Sequence, residues 1–311
     1  MTLTELKYVT AVAQHRHFGK AAEACFVSQP TLSVAIRKLE DELGVVLFER
    51  GAGEVNATAI GRQIVAQAQR VLDETAAIKA MATQNRDPLK GPLRLGVIYS
   101  IGPYLLPHVI PTLHRRAPYM PLVLQENYTT DLVDMLKRGE LDLIVVASDV
   151  SEPGLMTQAV YDEPFIVALP KGHRWERKKS VGQEDLAEES MLLLGAGHCF
   201  RDQVLKLCPA LNRSTAPPGS LQQTVTSTSL ETIRHMVASG TGITVLPITS
   251  VEPRSALLSL VPFAKPVPDR RVTLVWRTSF TRLPAVEAMR QAILAARLPG
   301  VSKLDAAPSP S

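Results

Sequence analysis

The chain has little cysteine, three residues in 311, far too few for a disulfide-stapled scaffold. It also lacks any apolar run near the roughly 18 residues that a bilayer span requires, so a membrane bundle and a membrane partner are not expected. Its start, Met1-Thr-Leu-Thr-Glu-Leu-Lys7, carries neither the basic nor the apolar region of a secretory leader, and a cytoplasmic location with reduced thiols is the expectation. The excess of one sign of charge is small too, 34 Lys or Arg against 30 Asp or Glu. The formal net charge of +4 permits a nucleic-acid partner without establishing one. No Cys-x-x-Cys occurs, and His15, His17 and the His198-Cys199 pair stand apart from further ligands, so neither a metal nor a cofactor is expected.

What is present is ordinary globular usage, 45% hydrophobic and 21% charged, in a length that suggests two domains at about 150 residues each. Within residues 1–58, Leu3, Leu6, Val9, Thr10 and Ala13 recur at helical spacing and Gly19–Cys25 forms a second short helix. Cys25, among Ala22, Ala24 and Phe26, reads as a core or boundary residue. Ser28 is an N-cap, Pro30 is tolerated in the first turn, and Leu32, Ala35, Ile36, Leu39 and Leu43 make one apolar stripe that ends at Gly44. The pair of helices is a helix-turn-helix candidate. Its outer face, Ser28, Gln29, Thr31, Ser33, Val34, Arg37 and Lys38, suits phosphate and base-edge contacts in a major groove. Val45–Phe48 reads as a strand, Gly51 and Gly53 as a turn and Val55 as the return, a wing with Arg50 at its tip for the DNA backbone or minor groove. Periodicity alone does not separate this from a helical domain with no DNA to bind. Six Lys or Arg stand against seven Asp or Glu here, a net of −1, so binding requires cations segregated on one face and two copies per site.

The strings Phe18-Gly-Lys-Ala-Ala-Glu-Ala24, Val27-Ser-Gln-Pro-Thr-Leu-Ser-Val-Ala-Ile-Arg-Lys-Leu-Glu-Asp-Glu-Leu-Gly44 and Leu47-Phe-Glu-Arg50 resemble the N-terminal domain of LysR-type transcriptional regulators. The resemblance implies double-stranded promoter DNA as partner and Ser28, Gln29, Pro30, Thr31, Ser33, Arg37 and Arg50 as the DNA-facing residues, with Pro30 shaping the helix start.

Thr58 can cap a helix over 59–88, in which Ile60, Ile64, Ala68, Val71, Leu72, Thr75, Ile78 and Met81 keep a narrow seam until Asp87-Pro88 stops it. About 27 residues make roughly 40 Å of helix. A seam this narrow reads as a dimerising linker; the alternative is a helix packed on its own domain. The resemblance favours the linker.

From residue 89 the chain alternates strand-like runs (Leu93–Ile98, Leu122–Leu124, Leu141–Val146, Phe165–Leu169, Met191–Leu194, Ile243–Leu246, Val272–Trp276) with helical patterns, among them a helix capped by Ser229 that stops near Gly240 and Gly242. That alternation predicts βαβ units. The fold class is therefore α/β behind an N-terminal all-α winged helix-turn-helix and a long linker helix. By resemblance to the family, residues 89–301 form a two-lobed, periplasmic-binding-protein-like regulatory domain, with 89–161 and 268–301 in one lobe and 162–267 in the other. Residues 302–311 read as a disordered tail. Strand C-termini gather ligands in such sheets, which points to Ser100, Thr129 and the loop after Leu194.

That loop, Gly195-Ala-Gly-His-Cys199-Phe-Arg-Asp-Gln-Val-Leu-Lys-Leu-Cys208-Pro, places Cys199 at the start of a helix running to about Leu207. Helix-terminal N–H groups, His198 and Arg201 would each favour the thiolate that attacks a peroxide oxygen, and Asp202 could orient the cations or move a proton. Cys208 lies nine residues on, about 13.5 Å along a continuous helix, against about 7 Å for a disulfide. If Cys208 resolves a sulfenic acid at Cys199, the helix must come apart. Chemistry alone leaves a redox pair, an isolated reactive thiol and two inert thiols all open.

Gly197-His-Cys-Phe-Arg-Asp202, Leu207-Cys-Pro, Gly102-Pro-Tyr-Leu-Leu-Pro-His108, Ser229-Leu-Glu-Thr232 and Gly240-Thr-Gly-Ile-Thr-Val-Leu-Pro247 resemble the hydrogen-peroxide sensors of the same family. By that resemblance Cys199 is the peroxidatic cysteine, Cys208 its disulfide partner, and Ser100, Thr129, His198 and Asp202 surround the peroxide. Ser100 stands where those proteins commonly have threonine; the hydroxyl is kept and a rotamer-holding methyl is lost. The resemblance further implies a homotetramer, a dimer of dimers, that activates oxidative-stress defence genes with RNA polymerase and is not an enzyme. The rivals are a LysR-type regulator with a metabolite in its cleft, a thiol peroxidase, and a periplasmic solute-binding protein, which would leave the first 58 residues without a use.

Overall fold

A computed structural model describes residues 1–50, 55–83, 87–209, 227–251, 257–305 and 307–310. Two compact units divide the chain, Met1–Arg86 with Lys137–Gly139, and Asp87–Leu136 with Glu140–Ser311.

In the first unit, α1 (Leu3–His15), α2 (Phe18–Ala24) and α3 (Gln29–Leu43) precede a two-stranded wing of β1 (Phe48–Arg50) and β2 (Val55–Ala57). Thr2 opens α1 with a capping box to Glu5, and the His17 ring accepts the N–H groups of Gly19 and Lys20 at the start of α2. Ser28 caps α3 by accepting the Thr31 N–H at 3.3 Å, with Pro30 in the first turn. Val9, Val12, Ala21, Leu32, Ile36, Leu39 and Leu47 close the core. The core is narrower than the spacing predicts: Leu3 and Leu43 are exposed because they fall at helix ends, while Val12 is buried. The strand expected over Val45–Phe48 begins at Phe48 instead. Glu40 holds the Leu47 and Phe48 N–H groups, so the segment after Gly44 is fastened to α3 before it can pair. Gly51 and Gly53 lie outside the described residues. Cys25 caps α2 at the half-buried edge of the core.

The helix α4 (Ala59–Thr83) is started by the Thr58 hydroxyl, which accepts the Gly61 N–H at 2.9 Å. Ile64 and Val65 pack on the core of this same unit, whereas Ile60 and Ile78 are exposed. The first turns of the seam thus serve their own domain, as the alternative reading has it. The Met81 side chain lies outside the described residues.

In the second unit, β3 (Leu93–Ile98), α5 (Gly102–Arg116), β4 (Leu122–Asn127), α6 (Thr129–Lys137) and β5 (Leu143–Val146) form the expected parallel βαβ units. The next strand, β6 (Leu155–Pro170), is much longer than the predicted Phe165–Leu169 run. It serves two sheets. Its first half pairs antiparallel with β9 (Asp269–Arg277), which adjoins β5, and its second half pairs with β7 (Thr244–Pro247) and β8 (Leu258–Pro262). One apolar core lies around β3, β5 and the helix α9 (Leu283–Ala295), and another around the second half of β6, the helix α7 (Cys199–Leu207) and the helix α8 (Leu230–Ala238), which Ser229 caps. Met191–Leu194 makes isolated bridges to Ile243 and Ser227 rather than a regular strand. The tail is not disordered where it is described: β10 (Ser302–Lys303) and β11 (Ser309–Pro310) pair with β6. An otherwise open strand edge supplies backbone partners that a composition-based reading cannot see.

Candidate functional site

Ser100 follows the C-terminal end of β3, Thr129 follows that of β4, and Cys199 is the first residue of α7. Parallel pairing of β3 with β4 sets the two hydroxyl-bearing turns side by side, and the loop from Leu194 brings the thiol to them. Together with Tyr99, Asn127, Tyr128, Gly197, His198 and Phe200 they enclose a pocket whose free space for the centre of a water-sized molecule is about 10 Å³. That is room for one very small molecule. Gly197 has φ +92°, and a Cβ there would lie 3.3 Å from the Tyr128 ring, so the turn that delivers His198 and Cys199 excludes a side chain.

The polar atoms of this pocket are incompletely paired. Thr129 Oγ1 and His198 Nε2 are both buried with no hydrogen-bond partner, a state natural cores avoid unless a small ligand or water completes them. The His198 ring is packed edge-on against Tyr128 at 4.9 Å and tilted against Tyr99 at 5.8 Å. Burial pushes its pKa down, so it is a neutral imidazole at neutral pH and not the cation that the sequence reading supposed. Ser100 Oγ, also buried, accepts from Arg270 Nη1 at 2.8 Å, which leaves its own O–H to donate.

Arg201 and Asp202 do not line the pocket. The Arg201 guanidinium turns back to donate to the Leu194 carbonyl at 2.8 Å, fastening the loop, and Asp202 is exposed one turn along α7. Cys199 stands at the N-terminus of α7, while the Arg201 guanidinium is engaged with the Leu194 carbonyl. Cys208 caps the other end of α7 and is buried in the second core. The helix between the thiols is continuous, so the pair cannot bond in this arrangement.

Two residues far apart in the chain hold these parts in place. Arg270 and Glu163 are register partners on β9 and β6, fully buried, with Nε to Oε2 at 2.7 Å. The remaining Arg270 nitrogens donate to Ser100 Oγ and to the Ser100 carbonyl at 2.9 Å, and its guanidinium lies 5.2 Å from the Phe200 ring centre, next to Cys199. Glu163 also accepts the Thr249 N–H at 3.1 Å and the Thr249 hydroxyl. No local pattern marks Arg270 or Glu163; their partners are distant in the chain. Tyr128 was findable, since it adjoins Thr129 at a predicted strand end.

In the first unit the α3 face carries Ser28, Gln29, Pro30, Thr31 and Arg37 exposed and Ser33 half-buried. Ser28 and Thr31 share a hydrogen bond at 2.8 Å, so their hydroxyls form one local polar cluster at the helix start. The backbone of Arg50 ends β1; its side chain lies outside the described residues.

Residues 3–62 match the bacterial regulatory helix-turn-helix protein, lysR family, and residues 86–297 match the LysR substrate binding domain. The chain is 41% identical over 298 residues, 95% of each protein, to the DNA-binding transcriptional dual regulator OxyR of Escherichia coli. A full-length cysteine-to-aspartate mutant of OxyR from Pseudomonas aeruginosa superposes with TM-score 0.78 at 49% identity, covering 96% of this chain and 99% of that one. A hydrogen-peroxide-bound cysteine-to-serine mutant of OxyR from Corynebacterium glutamicum gives TM-score 0.60 at 31% identity, covering 94% and 91%.

Glu163→Ala should destabilise the regulatory unit by about 3–5 kcal/mol in urea unfolding, because Arg270 is left as an uncompensated buried charge; the Glu163→Leu, Arg270→Met pair should recover most of that loss. A single-variant loss no larger than that of the pair would contradict the assignment. Stability should also fall as pH drops through the ordinary histidine range. There the unfolded chain takes up a proton at His198 that the folded site resists, so protons favour unfolding. His198→Gln should remove that component when unfolding midpoints at pH 7.5 and 5.5 are compared.

Proposed function

Because the chain belongs to the LysR family of bacterial helix-turn-helix regulators, we propose that it is a DNA-binding transcription regulator switched by hydrogen peroxide, with Cys199 as the sensing thiol. The observation that carries this reading is the pocket itself: a thiol at a helix N-terminus faces space for one water-sized molecule, beside two buried polar atoms with no partner. Hydrogen peroxide is that small, and it both donates and accepts hydrogen bonds. A metabolite of the size most regulators bind needs a pocket of roughly 300 Å³ or more, which the space at Cys199 does not offer. The E. coli relative is named for transcriptional regulation and the C. glutamicum structure for bound peroxide, and both bear on this chain in the same sense.

In this reading the Cys199 thiolate attacks the nearer peroxide oxygen, the O–O bond breaks, and the departing hydroxide takes a proton from the pocket's donors to leave as water. Ser100, Thr129 and His198 orient the peroxide. Cys199 is left as a sulfenic acid. Cys208 gives up its thiol proton and its thiolate attacks that sulfur, the S–O bond breaks, and the departing hydroxide takes up one proton to leave as a second water with a disulfide formed. Two thiols lose two electrons and one peroxide becomes two waters. The ordered helix between the thiols makes this a conformational switch, since the disulfide and the α7 of this structure exclude each other. The protein completes one oxidation per molecule and is not a peroxidase. It acts in the cytoplasm, as a dimer of dimers joined through α4, on promoters of oxidative-stress defence genes with RNA polymerase. Ser28, Gln29, Pro30, Thr31, Ser33, Arg37 and Arg50 form the DNA face. Arg201 and Asp202 act through the loop and helix that carry Cys199 rather than on peroxide.

Mass spectrometry of the peroxide-treated protein should find Cys199 linked to Cys208. Cys199→Ser should abolish the peroxide response while leaving DNA binding by the reduced form intact, and a normal response in that variant would move the nucleophile elsewhere. Arg37→Ala should weaken promoter binding about tenfold in a mobility-shift titration at moderate salt without changing thiol oxidation; unchanged affinity would remove Arg37 from the DNA face.

A further inference from the structure

One side chain of α7 spans the regulatory unit's two cores. Phe200 and Val204 bury the helix in the second core. Gln203, on the intervening face, donates its Nε2–H to the carbonyl of Ala147, which follows β5 in the first core. The other half of the same amide, Oε1, is buried without a partner, and so is the hydroxyl of Ser148, the residue after Ala147. A polar cluster half-satisfied and closed off from water is a poor way to stabilise a fold. It is a reasonable way to hold a helix that must later let go. Gln203 stands outside the lining of the Cys199 pocket, one turn further along the helix.

We propose that Gln203 is a positioning residue of the switch: its hydrogen bond to Ala147 tethers the first turns of α7 in the reduced arrangement and so separates the reaction with peroxide from closure of the disulfide. The inference rests on the reading of Cys199 and Cys208 as a redox pair. The two thiols sit at opposite ends of an unbroken helix, about 13.5 Å apart by helical rise, and closure to within about 7 Å requires the turns containing Gln203 to unwind. The tether is therefore present while Cys199 attacks peroxide and lost before Cys208 attacks the sulfenic acid. Removing it leaves the first step alone and quickens the second.

The test uses full-length reduced protein mixed with excess hydrogen peroxide. Samples are quenched over time with a dimedone-type trap, which reports the sulfenic acid, and with an alkylating agent, which reports free thiols. Gln203→Leu should form the sulfenic acid within twofold of the parent rate and close the disulfide about fivefold faster, the effect of losing one neutral hydrogen bond. Gln203→Glu, similar in size and without a donor once its carboxyl is ionised, should do the same on the alkaline side of that ionisation and covers the case in which the leucine variant folds poorly. Gln203→Lys restores an N–H donor of similar reach and should return closure toward the parent rate, a rescue that a merely structural role would not give. Parental closure rates in both the Leu and Glu variants would overturn the tether, as would a parallel fall in sulfenic acid formation or a lysine variant as fast as leucine. A parent protein that forms no disulfide at all would instead overturn the redox reading on which the tether depends.

Discussion

The regulatory unit is organised around the buried ion pair of Arg270 and Glu163. Arg270 and Glu163 face each other across β9 and β6 with no exposed surface on either side chain, and the desolvation of two such charges costs several kcal/mol per ion unless every remaining donor and acceptor is used. Here Arg270 donates further to the Ser100 hydroxyl and carbonyl, and Glu163 accepts from Thr249. The placement matters as much as the pairing. Glu163 sits where β6 passes from one sheet to the other, so the guanidinium that answers it can reach the Ser100 turn of the first core and the Phe200 ring of the second. A shift of either core relative to the other must break hydrogen bonds to a buried charge, and the small pocket at Cys199 inherits that rigidity.

Within this frame the chemistry of the pocket follows from size and polarity. Burial keeps His198 neutral, so the site does not confront the thiol with a histidine cation; it offers directed hydrogen bonds to something about as large as water. Thr129 Oγ1 and His198 Nε2 stay buried beside the thiol with no hydrogen-bond partner. Cys208 is withheld from this chemistry by the helix that separates it from Cys199. The intact α7 and a bond between the two thiols at its ends are alternatives, because a disulfide needs Cα atoms within about 7 Å.

The N-terminal unit works by a different economy of charge. Its sequence carries a net of −1 over residues 1–58, yet Arg37 and Lys38 are exposed on the outer face of α3, opposite the side that Leu32, Ile36 and Leu39 bury. Glu40 is occupied with the backbone of Leu47 and Phe48, and Glu42 with the chain's amino terminus at 2.7 Å. With Glu5 held in the capping box of Thr2, three of the seven acidic groups are committed to local structure, and the sum of charges says little about the face presented to a phosphate backbone.

Much was determined by the sequence alone. Helix caps at Ser28, Thr58 and Ser229, the winged helix-turn-helix, the parallel strands of the first βαβ units and the start and end of α7 all depend on local propensity and short-range periodicity, which a single sequence carries. So did the convergence of Ser100, Thr129 and Cys199, because strand C-termini in a parallel sheet lie together whatever the rest of the chain does. Tertiary structure alone decided the rest. That Arg201 fastens a loop while Asp202 faces solvent, that His198 is neutral, that β6 extends through both sheets and that the tail pairs with it are matters of which distant backbone or side chain is nearest. The Arg270–Glu163 pair and the Gln203–Ala147 bond join residues 107 and 56 positions apart. Partners at such separations leave no periodic trace in the chain, and burial, which sets the strength of each interaction, exists only once the fold has closed.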